Sequence, residues 1–114
     1  IEFINMWQIM MFGQKPFYVE DGELALQFEP IIPSYLIGDE HKISTTFLGM
    51  TEVNYILSEK SAISELIPGN YEITYMECVD EQGEQQTIED SYIKGELASN
   101  IRDGKISIIN VYIK

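Results

Sequence analysis

The spacing of apolar residues changes once in this chain, between Gly13 and Pro16, and this change limits the possible folds more than any other feature. Before Gly13 the apolar residues recur at intervals of three and four, which is typical of a helix. From Phe17 onward they alternate with polar residues, which is typical of strands. Turn residues divide this part into about six short strands. The sequence therefore predicts a mainly β fold, an antiparallel, jelly-roll-like β-sandwich preceded by one N-terminal helix.

The opening segment, residues 1–12, would be apolar around most of its circumference as a helix. Such a helix must be buried against other structure, and Gly13 provides its stop. Because no capping residue precedes Ile1, we expect residues 1–13 to be the tail of an upstream helical domain and residues 14–114 to be the β-sandwich domain. One stripe of the helix is predicted to contact that domain or a second copy of the chain; it consists of Phe3, Met6, Trp7, Met10 and Met11.

Turn residues mark the ends of the first predicted strand. Asp21-Gly22 forms a turn ahead of a strand at 24–28. Pro30 and Pro33 then break the ladder, because proline has no N–H to donate to a neighbouring strand. We expect residues 29–34 to be extended and to lie outside the sheet or at its edge, not in a central strand.

The later strands follow the same pattern. Residues 43–47 and 53–57 alternate on either side of Gly49 and predict a hairpin. The last strand, 105–113, is apolar on both faces, which is typical of a strand in the centre of a sheet.

Alternation restarts with Tyr71, Ile73 and Tyr75, which places these three side chains on one face of a strand. A polar run containing Gly83 follows and predicts a solvated hairpin turn. The spacing does not decide the structure of residues 87–101, where a short strand and a helical turn both fit.

The net charge of the chain limits the classes of partner that it can bind. The chain has 19 acidic and seven basic side chains in 114 residues, a formal net charge of -12, which repels polyanions. Nucleic acid and anionic membrane are therefore not expected as partners. The opening apolar run has no basic leader and is too short to span a bilayer. The one cysteine, Cys78, is predicted to be a buried or half-buried reduced thiol, which indicates a soluble cytoplasmic protein.

Few residues could carry catalysis or bind a metal. A zinc site needs several His and Cys ligands, and this chain has one of each, His41 and Cys78. The acidic run 80–84 lacks the alternating pattern of a calcium loop. Adjacent carboxylates such as Glu89 and Asp90 point to opposite faces of a strand. We therefore predict no catalytic residue, no cofactor and no metal ligand in this chain.

Aromatic side chains could stack on sugar rings, since the chain has seven tyrosines and Trp7. Their positions favour core packing instead. Trp7 belongs to the helical stripe, and Tyr55, Tyr71 and Tyr75 lie on alternating strand faces.

Two parts of the chain resemble a known family. The segment 2–7 (EFINMW), with 11–13 (MFG) and 16–17 (PF), resembles the last barrel helix and exit loop of cellobiose-phosphorylase-like enzymes. The segments 24–33 (LALQFEPIIP) and 46–49 (TFLG) resemble the start of their C-terminal sandwich. The resemblance covers about the first half of the chain, and its motifs are structural rather than catalytic.

The resemblance implies a parent enzyme with an α/α barrel that carries the catalytic acid and with β domains packed on the barrel. This chain would hold the end of the barrel and the C-terminal β domain, and no catalytic residue of the family matches a position in it. We therefore expect a non-catalytic structural domain of a larger carbohydrate-active enzyme, a glycoside phosphorylase or hydrolase, that packs on the barrel and stabilises it.

The alternative is a free-standing β-sandwich module that binds carbohydrate or protein on a sheet face. Exposed coplanar aromatic side chains on that face would favour the module, and a polar face without aromatics would favour the structural domain. A third possibility, a small enzyme, requires a pocket that contains an acid or thiol with a perturbed pKa.

Overall fold

The computed structural model describes residues 2–13, 15–33, 41–57, 66–67 and 69–113, and the side chains from Trp7 onward. This part of the chain forms two sheets, mostly antiparallel, with one helix at the N-terminal end and one near the C-terminal end, so the predicted mainly β, sandwich-like fold is confirmed. The elements, in chain order, are α1 (Glu2–Phe12), β1 (Phe17–Glu20), β2 (Glu23–Leu26), β3 (Lys42–Phe47), β4 (Thr51–Leu57), β5 (Ile73–Asp80), β6 (Gln85–Ile88), β7 (Ile93–Lys94), α2 (Glu96–Arg102) and β8 (Ile106–Ile113).

Helix α1 ends at the predicted glycine. Gly13 adopts a φ of +90°, and its N–H donates to the Ile9 carbonyl at 2.9 Å, which is the usual way a glycine closes a helix. A Cβ at this position would lie 3.2 Å from Glu29 Cβ. The chain can therefore turn sharply and pass close to the segment that follows β2.

The smaller sheet has the strand order β1-β2-β7. Asp21 and Gly22 join β1 to β2 with φ values of 52° and 80°, the conformation of a two-residue hairpin turn, as predicted. Strand β2 ends at Leu26, before the prolines. Ile32, between them, makes only an isolated bridge with Leu66, so the segment lies outside both sheets as expected.

The larger sheet has the order β3-β4-β8-β5-β6. The predicted hairpin of β3 and β4 is confirmed, with Leu48 and Gly49 both at positive φ in the turn. Strand β8 lies between β4 and β5, as its two apolar faces predicted. The pairing of β4 with β8 is parallel, so a purely antiparallel sandwich is wrong for this pair. These strands are distant in the chain, and alternation carries no information about direction.

One predicted strand face is wrong. The register between β5 and β8 shifts between Ile73 and Tyr75, which marks a bulge. A bulge adds one residue and reverses the side of the sheet to which the next side chains point. Ile73 is therefore buried, whereas Tyr75 lies on the solvent side with 37% of its surface exposed.

The stretch that the sequence left open contains the end of β6, all of β7 and most of α2. Helix α2 buries Ala98 and Ile101. Ahead of it, the polar turn between β5 and β6 bends at Gly83, which has a φ of 86°, as predicted.

An aromatic cluster lies at the centre of the core and joins α1 to both sheets. Phe12 of α1 packs 4.6 Å from Phe47 and 5.7 Å from Phe28, measured between ring centroids. Phe17 of β1 stacks on Phe47 at 5.6 Å, and Tyr55 of β4 meets Phe28 edge to face at 6.2 Å. Each such pair contributes about 0.5–1.5 kcal/mol beyond its area burial. The last turn of α1 therefore lies within the core of the β domain.

Candidate docking and ligand-binding surfaces

The predicted contact stripe of α1 is divided between the core and the surface. Met11 is fully buried in the core of the β domain, Met10 is half-buried, and Trp7 is 38% exposed. The side chains of Phe3 and Met6 lie outside the described part of the structure. Of the described members, Trp7 and Met10 are those that a partner could reach.

The C-terminal end of α1 is attached to the β domain through hydrogen bonds. The last four carbonyls of a helix have no partner within the helix. Here the carbonyl of Ile9 accepts from Gly13, and that of Met10 accepts from the N–H of Ile31 at 2.7 Å.

The last two carbonyls are bonded in the same way. The Met11 carbonyl accepts from the Tyr55 hydroxyl at 2.5 Å, and the Phe12 carbonyl accepts from the N–H of Glu29 at 3.2 Å. The direction of α1 is therefore set by bonds to the segment after β2 and to strand β4.

Apolar surface lies on both sides of this anchored helix. Ile31, whose backbone is bonded to Met10, is 44% exposed, and Trp7 lies on the same face as Met10 one turn earlier. On another side, a groove of about 170 Å³ separates α1 from the turn after β3 and includes Phe12, Pro16 and Leu48 in its lining. Leu48 is also 44% exposed.

The outer face of the five-stranded sheet carries a row of polar side chains, one from each strand. The pairing registers place Ser44, Asn54, Asn110, Glu77 and Thr87 side by side across β3, β4, β8, β5 and β6. The Ser44 hydroxyl donates to Asn54 Oδ1 at 2.6 Å, and Asn54 Nδ2 donates to Asn110 Oδ1 at 2.9 Å. Hydrogen bonds therefore hold the β3–β4–β8 part of this row in place.

A pair of tyrosine rings lies beside the polar row. Tyr75 and Tyr112 stack with centroids 4.3 Å apart and planes 12° apart. The Tyr112 hydroxyl donates to Glu77 Oε1 at 2.6 Å, and Gln85 Nε2 donates to Glu77 Oε2 at 2.8 Å. The hydrogen bond to Glu77, with smaller contributions from desolvation and nearby charge, raises the pKa of Tyr112 to about 12.

Sequence reasoning missed this face. The alternation of side chains along β4 is enough to place Asn54 on the opposite face from Val53 and Tyr55. Only the parallel pairing of β4 with β8, however, places Asn54 beside Asn110. Tyr112 was part of a run interpreted as apolar on both faces. The bulge that turns Tyr75 outward has no glycine to mark it.

The Cys78 thiol is not activated as a nucleophile. Burial raises the pKa of Cys78 to about 12, so its thiol is protonated at neutral pH. Cys78 lines an open polar cavity of about 780 Å³, together with Asp80, Glu81 and Lys105. Asp80 is committed to the hairpin turn, because its Oδ1 accepts from the N–H groups of Gln82 and Glu84, each at 2.9 Å. In the part of the chain that the structure describes, His, Cys, Asp and Glu side chains form no group of three or more that could hold a metal ion.

Neither described helix has both the length and the apolar character needed to cross a bilayer. Comparison of the sequence with models of protein families and with curated proteins finds no match. Function is therefore inferred from the two surfaces described above, together with the resemblance noted from the sequence.

Proposed function

We propose that this chain is a non-catalytic structural domain of a larger, cytoplasmic carbohydrate-active enzyme of the cellobiose-phosphorylase-like kind, and that it packs through α1 against a helical barrel and stabilises it. One observation supports this most strongly. Three of the four terminal carbonyls of α1, those of Met10, Met11 and Phe12, accept hydrogen bonds from the β domain, while Trp7, one turn earlier, remains 38% exposed. A helix held in this way has a fixed orientation relative to the β domain. A partner that covers Trp7 would therefore be held in a fixed orientation as well.

The exposed part of Trp7 is large enough to matter energetically. A tryptophan side chain buries up to about 250 Å². Covering the exposed 38% at about 25 cal/mol per Å² stabilises a complex by roughly 2 kcal/mol, before Met10 and Ile31 are counted. That gain is a substantial fraction of the free energy of unfolding of a small domain.

The test uses the chain without its proposed partner. A second copy should then cover the exposed face of α1, so light scattering is expected to show a dimer that forms with increasing concentration. Trp7→Glu should give a monomer, because dimerisation would bury a charge. Tyr92→Glu is the matched control: Tyr92 is also 38% exposed but lies outside α1, and this variant should still dimerise.

Circular dichroism should show the same β content in all three proteins. Two results together would contradict the proposal. Light scattering would show a monomer for the unmutated chain across the whole concentration range, and the fluorescence of Trp7 would be that of a tryptophan shielded from water. They would mean that the β domain covers the helix by itself.

A specific observation also favours the second candidate function, a free-standing binding module. The outer face of the five-stranded sheet is not free of aromatics, since it presents the stacked pair of Tyr75 and Tyr112. The two functions are compatible in one protein. The core packing of α1 places the helix on the inner side of this sheet, so the outer face stays accessible when α1 is covered.

A further inference from the structure

Asn110 and Glu77 form an incompletely satisfied donor and acceptor pair on the outer face. They lie directly opposite each other on the antiparallel strands β8 and β5, so their Cβ atoms are about 5 Å apart. Asn110 Oδ1 accepts from Asn54, but neither N–H of its Nδ2 has a partner among the described residues. Glu77 accepts from Tyr112 and Gln85, which leaves about half of the acceptor capacity of a carboxylate.

Both groups are oriented before any ligand arrives. Asn54 holds Asn110 and is itself fixed by bonds to Ser44 at 2.6 Å and to Glu52 at 3.0 Å. Asn54 is only 4% exposed although it lies on the solvent side of the sheet, so the side chains around it are closely packed. A site oriented in this way loses little conformational entropy when a ligand binds.

A donor beside an acceptor suits a pair of adjacent hydroxyl groups. One hydroxyl can accept from Asn110 Nδ2 while its neighbour donates to the Glu77 carboxylate. The tyrosine rings next to this pair can cover the C–H face of a sugar ring. Tyr75 keeps 37% of its surface exposed while it stacks on Tyr112, so part of this side chain remains available to a ligand.

Charge excludes other ligand classes. The face carries Glu52 and Glu77, and the whole chain has a net charge of -12, so an anionic ligand is repelled. A cation would pair with Glu77 but would leave the donors of Asn110 unused. A neutral ligand with adjacent hydroxyls satisfies both groups.

We propose that the outer face of the five-stranded sheet binds a neutral saccharide, with Asn110 and Glu77 holding two adjacent hydroxyls and the Tyr75–Tyr112 pair stacking on the sugar ring. The proposal makes the binding-module function specific and does not depend on the docking of α1.

The test is an NMR titration of the chain with glucose, cellotetraose and maltotetraose, up to about 10 mM of each, since single-module affinities in the millimolar range or tighter are then visible. We expect shifts at the side-chain amide of Asn110 and at the backbone of β5 and β8. Stronger binding of a tetrasaccharide than of glucose would show that the face holds a chain. Equal affinity for glucose and the tetrasaccharides would assign the site to a single sugar unit.

Variants then assign the contacts. Asn110→Asp keeps the shape and the acceptor for Asn54 but removes both donors, so saccharide affinity should fall at least about tenfold. Tyr75→Ala should weaken binding by a similar factor. Tyr92→Ala is its matched control, because Tyr92 is 38% and Tyr75 is 37% exposed, and it should bind as the unmutated chain does. Glu77→Gln keeps one acceptor and should have a smaller effect than Asn110→Asp.

Several results would overturn the proposal. These are no shift with any saccharide, shifts confined to residues outside the large sheet, equal losses in Tyr75→Ala and Tyr92→Ala, or stronger binding of a lysine peptide than of any sugar. Trp7→Glu should leave saccharide binding unchanged, which separates failure here from failure of α1 docking. If Asn110→Asp does not fold, the mapped shifts of the unmutated chain decide by themselves.

Discussion

At the scale of single residues, the described buried polar side chains are satisfied, and the bonds that they make join distant parts of the chain. Tyr55 is fully buried and reaches from β4 to the Met11 carbonyl of α1. Thr51 is also fully buried, and its hydroxyl donates to the Ile106 carbonyl at 2.7 Å, across to the start of β8. A buried hydroxyl without a partner would cost free energy, so these contacts fix which segments meet.

Tyr55→Phe should lower the free energy of unfolding by about 1–3 kcal/mol, because it leaves the Met11 carbonyl unsatisfied in the core. Tyr71→Phe is the control. Its hydroxyl donates to the Pro30 carbonyl at 2.9 Å, but Tyr71 is only half-buried, so water can replace the lost bond and the loss should be smaller. Urea unfolding measures both values, and equal losses would contradict the assigned role of Tyr55.

At the scale of elements, the direction of α1 depends on a close approach between its end and the segment after β2. Gly13 allows this approach through its positive φ and its missing side chain, and the bond from Glu29 to the Phe12 carbonyl holds it. A glycine at positive φ can also serve a different need. Gly83, for example, bends a solvated turn and has no atom within 4 Å of the place where a Cβ would stand.

Gly13→Ala should therefore cost more than Gly83→Ala. Both variants carry the cost of a left-handed conformation, about 1 kcal/mol. Only the first also brings a Cβ to 3.2 Å from Glu29 Cβ, so the difference in unfolding free energy between the two variants measures the packing of α1 on the β domain. A similar loss in both variants would show that the end of α1 is free to shift.

At the scale of the whole molecule, the inner side of the five-stranded sheet holds the core and the anchored end of α1, and the outer side holds the polar row and the tyrosine pair. The anchored end of α1 and the polar row therefore lie on opposite sides of this sheet. Core burial also affects the response to pH. Desolvation raises the pKa of Cys78 from 9.0 to about 12, and burial with the nearby Glu29 raises that of Tyr71 from 10.0 to about 12.

Stability should fall in alkali. Above pH 9 the unfolded chain loses the thiol proton of Cys78 while the native chain keeps it, so rising pH favours unfolding until about pH 12. The stabilisation is complete below pH 9, and the slope from this one group is about 1.4 kcal/mol per pH unit. Cys78→Ala should make the fall between pH 9 and 10 shallower, since the tyrosines whose pKa is raised contribute mainly above pH 10; these are Tyr18, Tyr55, Tyr71 and Tyr112. Identical slopes in urea unfolding of the two proteins would contradict the burial of the thiol.

Local pattern predicted most elements correctly. A glycine after an apolar helix, an Asp-Gly pair between alternating runs and a doubly apolar last strand each led to the observed α1, β1–β2 turn and central β8. The register shift in β5 was missed because no residue in it departs from ordinary strand composition. The structure of 87–101 stayed open because its short elements depend on packing against other segments.

The sequence by itself determined the fold class, the position of α1 and the absence of zinc-ligand and calcium-loop patterns, because these depend on residue type and on spacing between near neighbours. Only the tertiary structure decided which side chains form each surface. It buried Met11 while leaving Trp7 exposed, paired β4 with β8 in parallel, and brought Asn54, Asn110 and Glu77 into one row. Strand direction, register and bulges depend on contacts between residues far apart in the chain, and apolar alternation is the same for every pairing that buries the same face.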